Sequence, residues 1–234
     1  SWGAAVSGAY NADARAYDIA VRDADSSEAG NQPMIFLFSA GNSGSGAQTI
    51  GSPGTAKNVI TVGASENQRP SDEDGPWSDG CGIGSAGADN AMDVIAFSSR
   101  GPARTGRAKP EIIAPGTHIQ ATASPNPGYN GSGVCDFNRP SGQATFASSS
   151  GTSHSTPAMA GVASLAYWWL QNRLGDARTR VEQDDVAGVD AVRVPDLGLV
   201  HPPDLGPAPG FLEKLAGNAP QGIAGNDNVA IGRV

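Results

Sequence analysis

Met34-Ile35-Phe36-Leu37-Phe38 runs directly into Ser39-Ala40-Gly41-Asn42, and the reading of that stretch decides the fold. Consecutive apolar residues without alternation predict a strand buried on both faces, as in a parallel sheet. Val59-Ile60-Thr61-Val62-Gly63-Ala64 reads as a second such strand, with Val94-Ile95-Ala96-Phe97 and Glu111-Ile112-Ile113-Ala114 as shorter candidates. Upstream, Ala12, Ala16, Ile19, Ala20 and Val21 recur at mostly helical intervals, which predicts an amphipathic helix from Ala12 to about Asp25. A helix before one buried strand, and a second buried strand after it, make an α/β layered fold.

Further out the pattern loosens. Glu66 to Asp93 is rich in Gly, Asp and Ser and reads as a long surface loop, and Thr122 to Ser150 as a second irregular region. From Ser153 to about Arg173 a helical pattern returns, with Met159, Val162, Ala163, Ala166, Trp169 and Leu170 on one broad face. Pro157 is tolerated because it falls near the first turn. After Gly175 the composition shifts. Val194 to Gly210 holds five prolines and no periodicity, so extended chain or a linker is expected, with one short helix over Phe211 to Gly217. The division is therefore a domain over 1–175 and a Pro/Gly-rich tail over 176–234 that trails the domain or completes it.

Composition excludes several functions. The 234 residues carry 15 Lys+Arg against 23 Asp+Glu, a net charge of −8 that repels phosphate backbones, so no nucleic-acid partner is expected. No run approaches the length of a membrane span, so no membrane partner is expected. The 2 cysteines are too few for a disulfide framework or a four-Cys zinc site.

Ser149-Ser150-Gly151-Thr152-Ser153-His154-Ser155-Thr156-Pro157-Ala158-Met159-Ala160-Gly161 carries the chemistry. A small, Gly-containing turn delivers Ser153 to the start of a helix, where unpaired N–H groups and partial positive charge gather. A serine there can aim its backbone N–H at a developing oxyanion. The same pattern alone is also that of a Ser/Thr-rich helix cap.

Three further stretches stand in order with this one. They are Phe38-Ser39-Ala40-Gly41-Asn42-Ser43-Gly44, Phe97-Ser98-Ser99-Arg100-Gly101-Pro102, and Lys109-Pro110-Glu111-Ile112-Ile113-Ala114-Pro115-Gly116-Thr117. Together with Ser1-Trp2-Gly3, the set resembles the subtilases, the subtilisin-like serine peptidases, most nearly the larger bacterial alkaline-protease type. The resemblance covers Ser1 to about Gly175. It implies an α/β three-layer subtilisin-like fold with a mostly parallel sheet, of which this chain is the C-terminal part. It also implies a secreted or extracellular serine endopeptidase acting on protein or peptide substrates.

Roles follow by resemblance. Ser153 is the expected nucleophile. Asn42 and the Ser153 backbone N–H are the expected oxyanion donors. Ser1, Trp2 and Gly3 are expected to pair with the substrate backbone as an added strand. Ser39, Ala40 and Gly41, with Gly51, Ser52 and Pro53, are expected to wall the pocket for the residue before the scissile bond. Small uncharged walls favour large hydrophobic or aromatic side chains.

The family's triad runs Asp, His, Ser along the chain, and neither expected partner motif precedes Ser153 here. His154 adjoins Ser153, but neighbouring helical side chains diverge by about 100°, so it is expected to line the site. His118 and His201 read as surface residues. The missing N-terminal part of the catalytic domain is thus an expected partner, and the isolated chain is expected to be inactive. The rival from another class is a non-catalytic subtilisin-fold binding or scaffold protein. Asp-Ser/Thr-Gly and His-Gly motifs upstream of Ser1 would decide for the enzyme.

Other signals weigh less. Gly82-Ile83-Gly84-Ser85-Ala86-Gly87 satisfies G-x-G-x-x-G but follows no strand and opens no helix, so it does not mark a dinucleotide site. The resemblance implies that catalysis is expected to require no cofactor. Structural Ca²⁺, which the resemblance implies, finds candidate oxygens in Asp72, Glu73, Asp74, Asp79, Asp89 and Asp93, but they match no specific ligand set and a solvated loop is the preferred reading. Gly225-Asn226-Asp227 is a single copy of half a calcium-binding repeat. Secretion would permit a disulfide between Cys81 and Cys135.

Overall fold

The structure is a computed structural model and describes residues 3–174. The expectations for Ser1, Trp2, His201 and the 176–234 segment lie outside the described residues. Helix α1 spans Ala12–Ala20 and starts at Asn11, whose side chain accepts the Ala14 N–H at 3.0 Å. Such a cap stabilises a helix by about 1 kcal/mol. The buried stripe of α1 is Ala14 and Asp18, flanked by Tyr17 and Val21, and Ile19 is 56% exposed. This differs from the expected apolar stripe. A carboxylate occupies the buried face because it is satisfied there: Asp18 accepts the Tyr10 hydroxyl at 2.8 Å and the Asn58 N–H at 2.7 Å. Burial and that bond to Asp18 push the Tyr10 phenol up to about 12.

Strands β1 (Leu37–Ser39), β2 (Ile60–Ser65) and β5 (Ile112–Pro115) form a parallel sheet in the order β1-β2-β5. Between β2 and β5 in the chain lies a small antiparallel pair, β3 (Ser71–Asp72) and β4 (Gly75–Pro76). The register sets Ser39 against Val62 and Val62 against Ile112. Side chains alternate between the faces of a strand, and here each face meets a helix. Phe38, Ala56 and Val59 pack with Ala14 of α1, while Leu37, Val62 and Ala114 pack with Ala160 of the second helix, α2 (Thr152–Leu174). That arrangement is the three-layer α/β fold.

The expected strand at Val94–Phe97 is reduced to one bridge, Val94 to Ser65. The chain leaves the sheet at once because Ser98 turns inward, and its hydroxyl accepts the Ala64 N–H at 3.0 Å, doing the work of a further strand. The region expected to be irregular before Ser150 contains β7 (Phe146–Ser149), antiparallel to β6 (Ile119–Thr122). On α2, Met159 and Ala163 face the sheet as the spacing predicts, and Ala160, not predicted there, is the residue buried against it. Val162 and Trp169, expected on that face, are 53% and 47% exposed. The helix is 23 residues long and outruns a three-stranded sheet, so its second half meets little of the described chain.

Candidate functional site

Strand β1 ends at Ser39, and the turn after it is held from three sides. The Gly51 N–H donates to the Ala40 carbonyl at 2.9 Å, the Ser99 N–H to the Gly41 carbonyl at 2.9 Å, and the Ser43 N–H to the Ser99 hydroxyl at 3.0 Å. Ser99 is fully buried and so is a fixed post. Lys109 braces the start of the neighbouring strand, β2. Its ammonium donates to the Val59 carbonyl and the Thr61 hydroxyl and pairs with Glu111 at 2.7 Å, while burial lowers its pKa. The Phe-Ser-Ser-x-Gly stretch thus shapes the loop after β1, while the Lys-Pro-Glu stretch ties down the start of β2.

The result is a rigid mount for Asn42. Both the backbone N–H and the hydroxyl of Thr152 donate to Asn42 Oδ1, at 3.0 and 2.9 Å, joining positions 110 residues apart. With Oδ1 occupied, the Nδ2 group of Asn42 faces the other way, over Gly151. A methyl group built on Gly151 would lie 3.3 Å from Asn42 Nδ2 and 3.8 Å from the backbone nitrogen of Ser153. Two N–H donors therefore border one small space, and only glycine leaves it open. Thr152 is fully buried, and its hydroxyl also accepts the Gly41 N–H at 3.3 Å. Sequence reading missed Thr152. The signal was its place between Gly151 and Ser153 at a helix start, where a hydroxyl is free to bond sideways.

Ser153 is half-buried in the first turn of α2. His154 follows it, also half-buried, and burial pushes its imidazole below the ordinary range. Its Cδ2 lies 3.8 Å from the same notional methyl on Gly151, so His154 borders that space with a carbon edge. Among the described residues no imidazole or carboxylate is hydrogen-bonded to the Ser153 hydroxyl.

The expected pocket segments run side by side. A methyl group on Gly54 would meet the Ser39 carbonyl at 3.2 Å and the Gly51 carbonyl at 3.0 Å. Ala40, Ser52 and Pro53 turn inward and are buried, and the Ser52 hydroxyl donates to the Asn11 side chain at 2.7 Å. Gly3 lies beside Ser52, and Ala4 pairs with Ser52 through two bonds of 3.0 and 2.9 Å in an antiparallel bridge. The N-terminal segment, the Ser39–Gly41 end of β1 and the Gly51–Gly54 loop thus converge.

His118 corrects the surface reading. It is fully buried, stacks on Trp77 with centroids 4.0 Å apart, and its ring nitrogens lie 2.9 Å from the Arg69 and Ile83 carbonyls. The acidic loop is likewise engaged. Arg139 binds Asp72 through two bonds of 2.7 Å, Asp74 accepts from Ser141, and Asp79 accepts from Cys81, Ile83 and Ser150. Carboxylates whose oxygens are taken by donors do not fit a calcium ligand set. Glu73, Asp89 and Asp93 are exposed. Cys81 and Cys135 form a disulfide, so neither sulfur is a metal ligand. Gly82 to Gly87 holds one 3₁₀ turn, Ser85–Gly87, with no strand leading into it.

A parallel sheet with helices on both faces, and a serine at a helix start beside the turn that follows its first strand, define a three-layer α/β protein with a candidate nucleophile turn. The chain belongs to the Subtilase family, whose pattern matches residues 1–180. It is 38% identical over 141 residues to the serine protease AprX of Bacillus subtilis (strain 168), covering 59% of this chain and 27% of that protein. It is 34% identical over 137 residues to pyrolysin of Pyrococcus furiosus, covering 56% of this chain and 9% of that protein. Among solved structures it is similar to sphericase, with a TM-score of 0.34 and 30% identity over 58% of this chain and 34% of that one. The chain thus spans about a quarter of the length of the Bacillus relative it matches.

Proposed function

We propose that this chain forms the nucleophile-bearing part of a secreted serine endopeptidase. Ser153 attacks the peptide carbonyl, and the Asn42 side-chain amide and the Ser153 backbone N–H stabilise the oxyanion. The observation that supports this best is the pair of donors bordering the space that Gly151 leaves open. His154 is adjacent in sequence and held neutral by burial, but no bond links it to the Ser153 hydroxyl. The general base and the carboxylate that orients it therefore come from residues other than the described ones. Gly3 and its neighbours pair with the substrate backbone. The convergence of Ser39–Gly41 with Gly51–Pro53, all small and uncharged, favours a large apolar residue before the scissile bond.

The test is hydrolysis of chromogenic peptides by the complete protein that carries this segment. Peptides with Phe or Leu before the reporter should be cleaved well ahead of those with Lys or Asp, and Ser153→Ala should abolish turnover. Full turnover by Ser153→Ala would overturn the reading in favour of a non-catalytic scaffold role for this segment.

A further inference from the structure

The loop from Trp77 to Ile83 lies against the turn that carries Ser153, and one carboxylate joins them. Asp79 is 4% exposed. Its Oδ1 accepts the amides of Cys81 and Ile83, at 3.0 and 2.8 Å, which builds the carboxylate into its own loop. Its Oδ2 reaches out of the loop and accepts the Ser150 hydroxyl at 2.6 Å. The same hydroxyl accepts the backbone N–H of His118 at 2.9 Å. The Ser150 N–H is directed at Cys135 Sγ, 3.2 Å away, and Cys135 is bonded to Cys81. Asp136 closes the ring by accepting the Gly80 N–H and the Trp77 indole N–H, each at 3.1 Å.

Ser150 is therefore the point at which this loop holds the nucleophile turn. After it, the Gly151 N–H bonds the Gly116 carbonyl at 2.7 Å and the Thr152 N–H bonds Asn42. A loop-forming role alone accounts for Oδ1 but leaves Oδ2 without a purpose. A half-buried serine hydroxyl that already accepts one N–H still needs an acceptor for its own proton, and the Asp79 carboxylate supplies it at 2.6 Å.

We propose that Asp79 is a positioning residue for the reaction. Through Ser150 it fixes the turn that presents the Ser153 hydroxyl and amide, and the Cys81–Cys135 disulfide keeps the carboxylate within reach. The catalytic consequence rests on the reading of Ser153 as nucleophile; the tether itself does not.

Amide hydrogen exchange on this chain tests the tether directly. Asp79→Asn keeps the shape of the side chain but faces Ser150 with a donor or a weaker acceptor. In Asp79→Asn and Ser150→Ala, the Gly151 and Thr152 amides should exchange about 10–100-fold faster, the worth of one charge-assisted bond. The β2 amides should change by less than about threefold, since they share no partner with Asp79. Ser150→Thr keeps the hydroxyl and should restore protection. Reduction by dithiothreitol passes two electrons and two protons to the disulfide, leaving two thiols and the cyclic oxidised reagent. It should produce the same local acceleration.

In the complete protein, Asp79→Asn should lower kcat about tenfold or more with KM within about twofold, and Ser150→Thr should retain activity. Unchanged exchange at Gly151 and Thr152, or equal acceleration throughout β2, would overturn the proposal. Hydrolysis indifferent to Ser153→Ala would instead overturn the peptidase reading, whatever the exchange data show.

Discussion

Arg139→Gln removes the clamp that holds the β3–β4 hairpin against the segment leading into β7. The wild-type guanidinium donates to both oxygens of Asp72 at 2.7 Å, approaches Asp74 at 3.7 Å, and stacks over Trp77 at 4.5 Å. The Asp72 side chain is 0% exposed and that of Arg139 20%. Breaking a fully buried pair costs roughly 3–5 kcal/mol because one charge is left unpaired. Here the Asp74 N–H still donates to Asp72 at 2.9 Å, Gln can replace one bond, and Arg139 is in partial contact with water. About 2–3 kcal/mol is therefore expected. With a urea m-value near 2 kcal/mol/M, the unfolding midpoint should fall by about 1–1.5 M at pH 7 with m unchanged.

Arg139→Lys keeps the charge but loses the fork and the stacking, and should recover less than about half of the loss. The effect depends on pH with a defined sign. Hydrogen bonds from Arg139 hold the Asp72 carboxyl below its ordinary range. Its contribution is thus complete above about pH 5 and is lost as pH falls through about 4 towards the lowered folded value. The gap between wild type and Arg139→Gln should narrow over that interval. A midpoint shift under about 0.2 M at pH 7, or a gap that widens on acidification, would refute this reasoning.

Other outcomes follow from the same structure. Phe38→Ala empties a site packed by Tyr17, Phe36, Ala14 and Val59, and should cost about 3–5 kcal/mol in the same urea titration. The isolated 234-residue chain should show no turnover of a chromogenic peptide above a Ser153→Ala control, because no described base reaches Ser153. Val162, Leu165, Trp168 and Trp169 on α2 are 47–56% exposed, so the isolated chain should self-associate at micromolar concentration in sedimentation velocity, and Leu165→Glu with Trp168→Glu should reduce this. A compact wild-type monomer would contradict that expectation.

The sheet was legible because short apolar-rich runs feed β1, β2 and β5, and the helix of Ser153 because small residues and a hydroxyl mark its start. What escaped was satisfied polarity. Asp18 sits on the buried face of α1 because two donors meet it, and His118 is buried because two carbonyls and an indole surround it. A hydropathy pattern places both residues at the surface, since the partners that make burial affordable are distant in sequence. Thr152 escaped for the same reason, its partners Asn42 and Gly41 lying on another strand end. The acidic loop read as solvent-facing because Arg139, which neutralises Asp72, is 67 residues away.

Labelling of the complete protein by a fluorophosphonate probe tests the central claim most directly, with the modified residue found by peptide mass spectrometry. A single adduct on Ser153 is predicted. Its rate should fall about 10²–10³-fold in Asn42→Ala, the scale of losing one oxyanion donor, and labelling should vanish in Ser153→Ala. An adduct on another serine, or labelling undiminished in Ser153→Ala, would contradict the account.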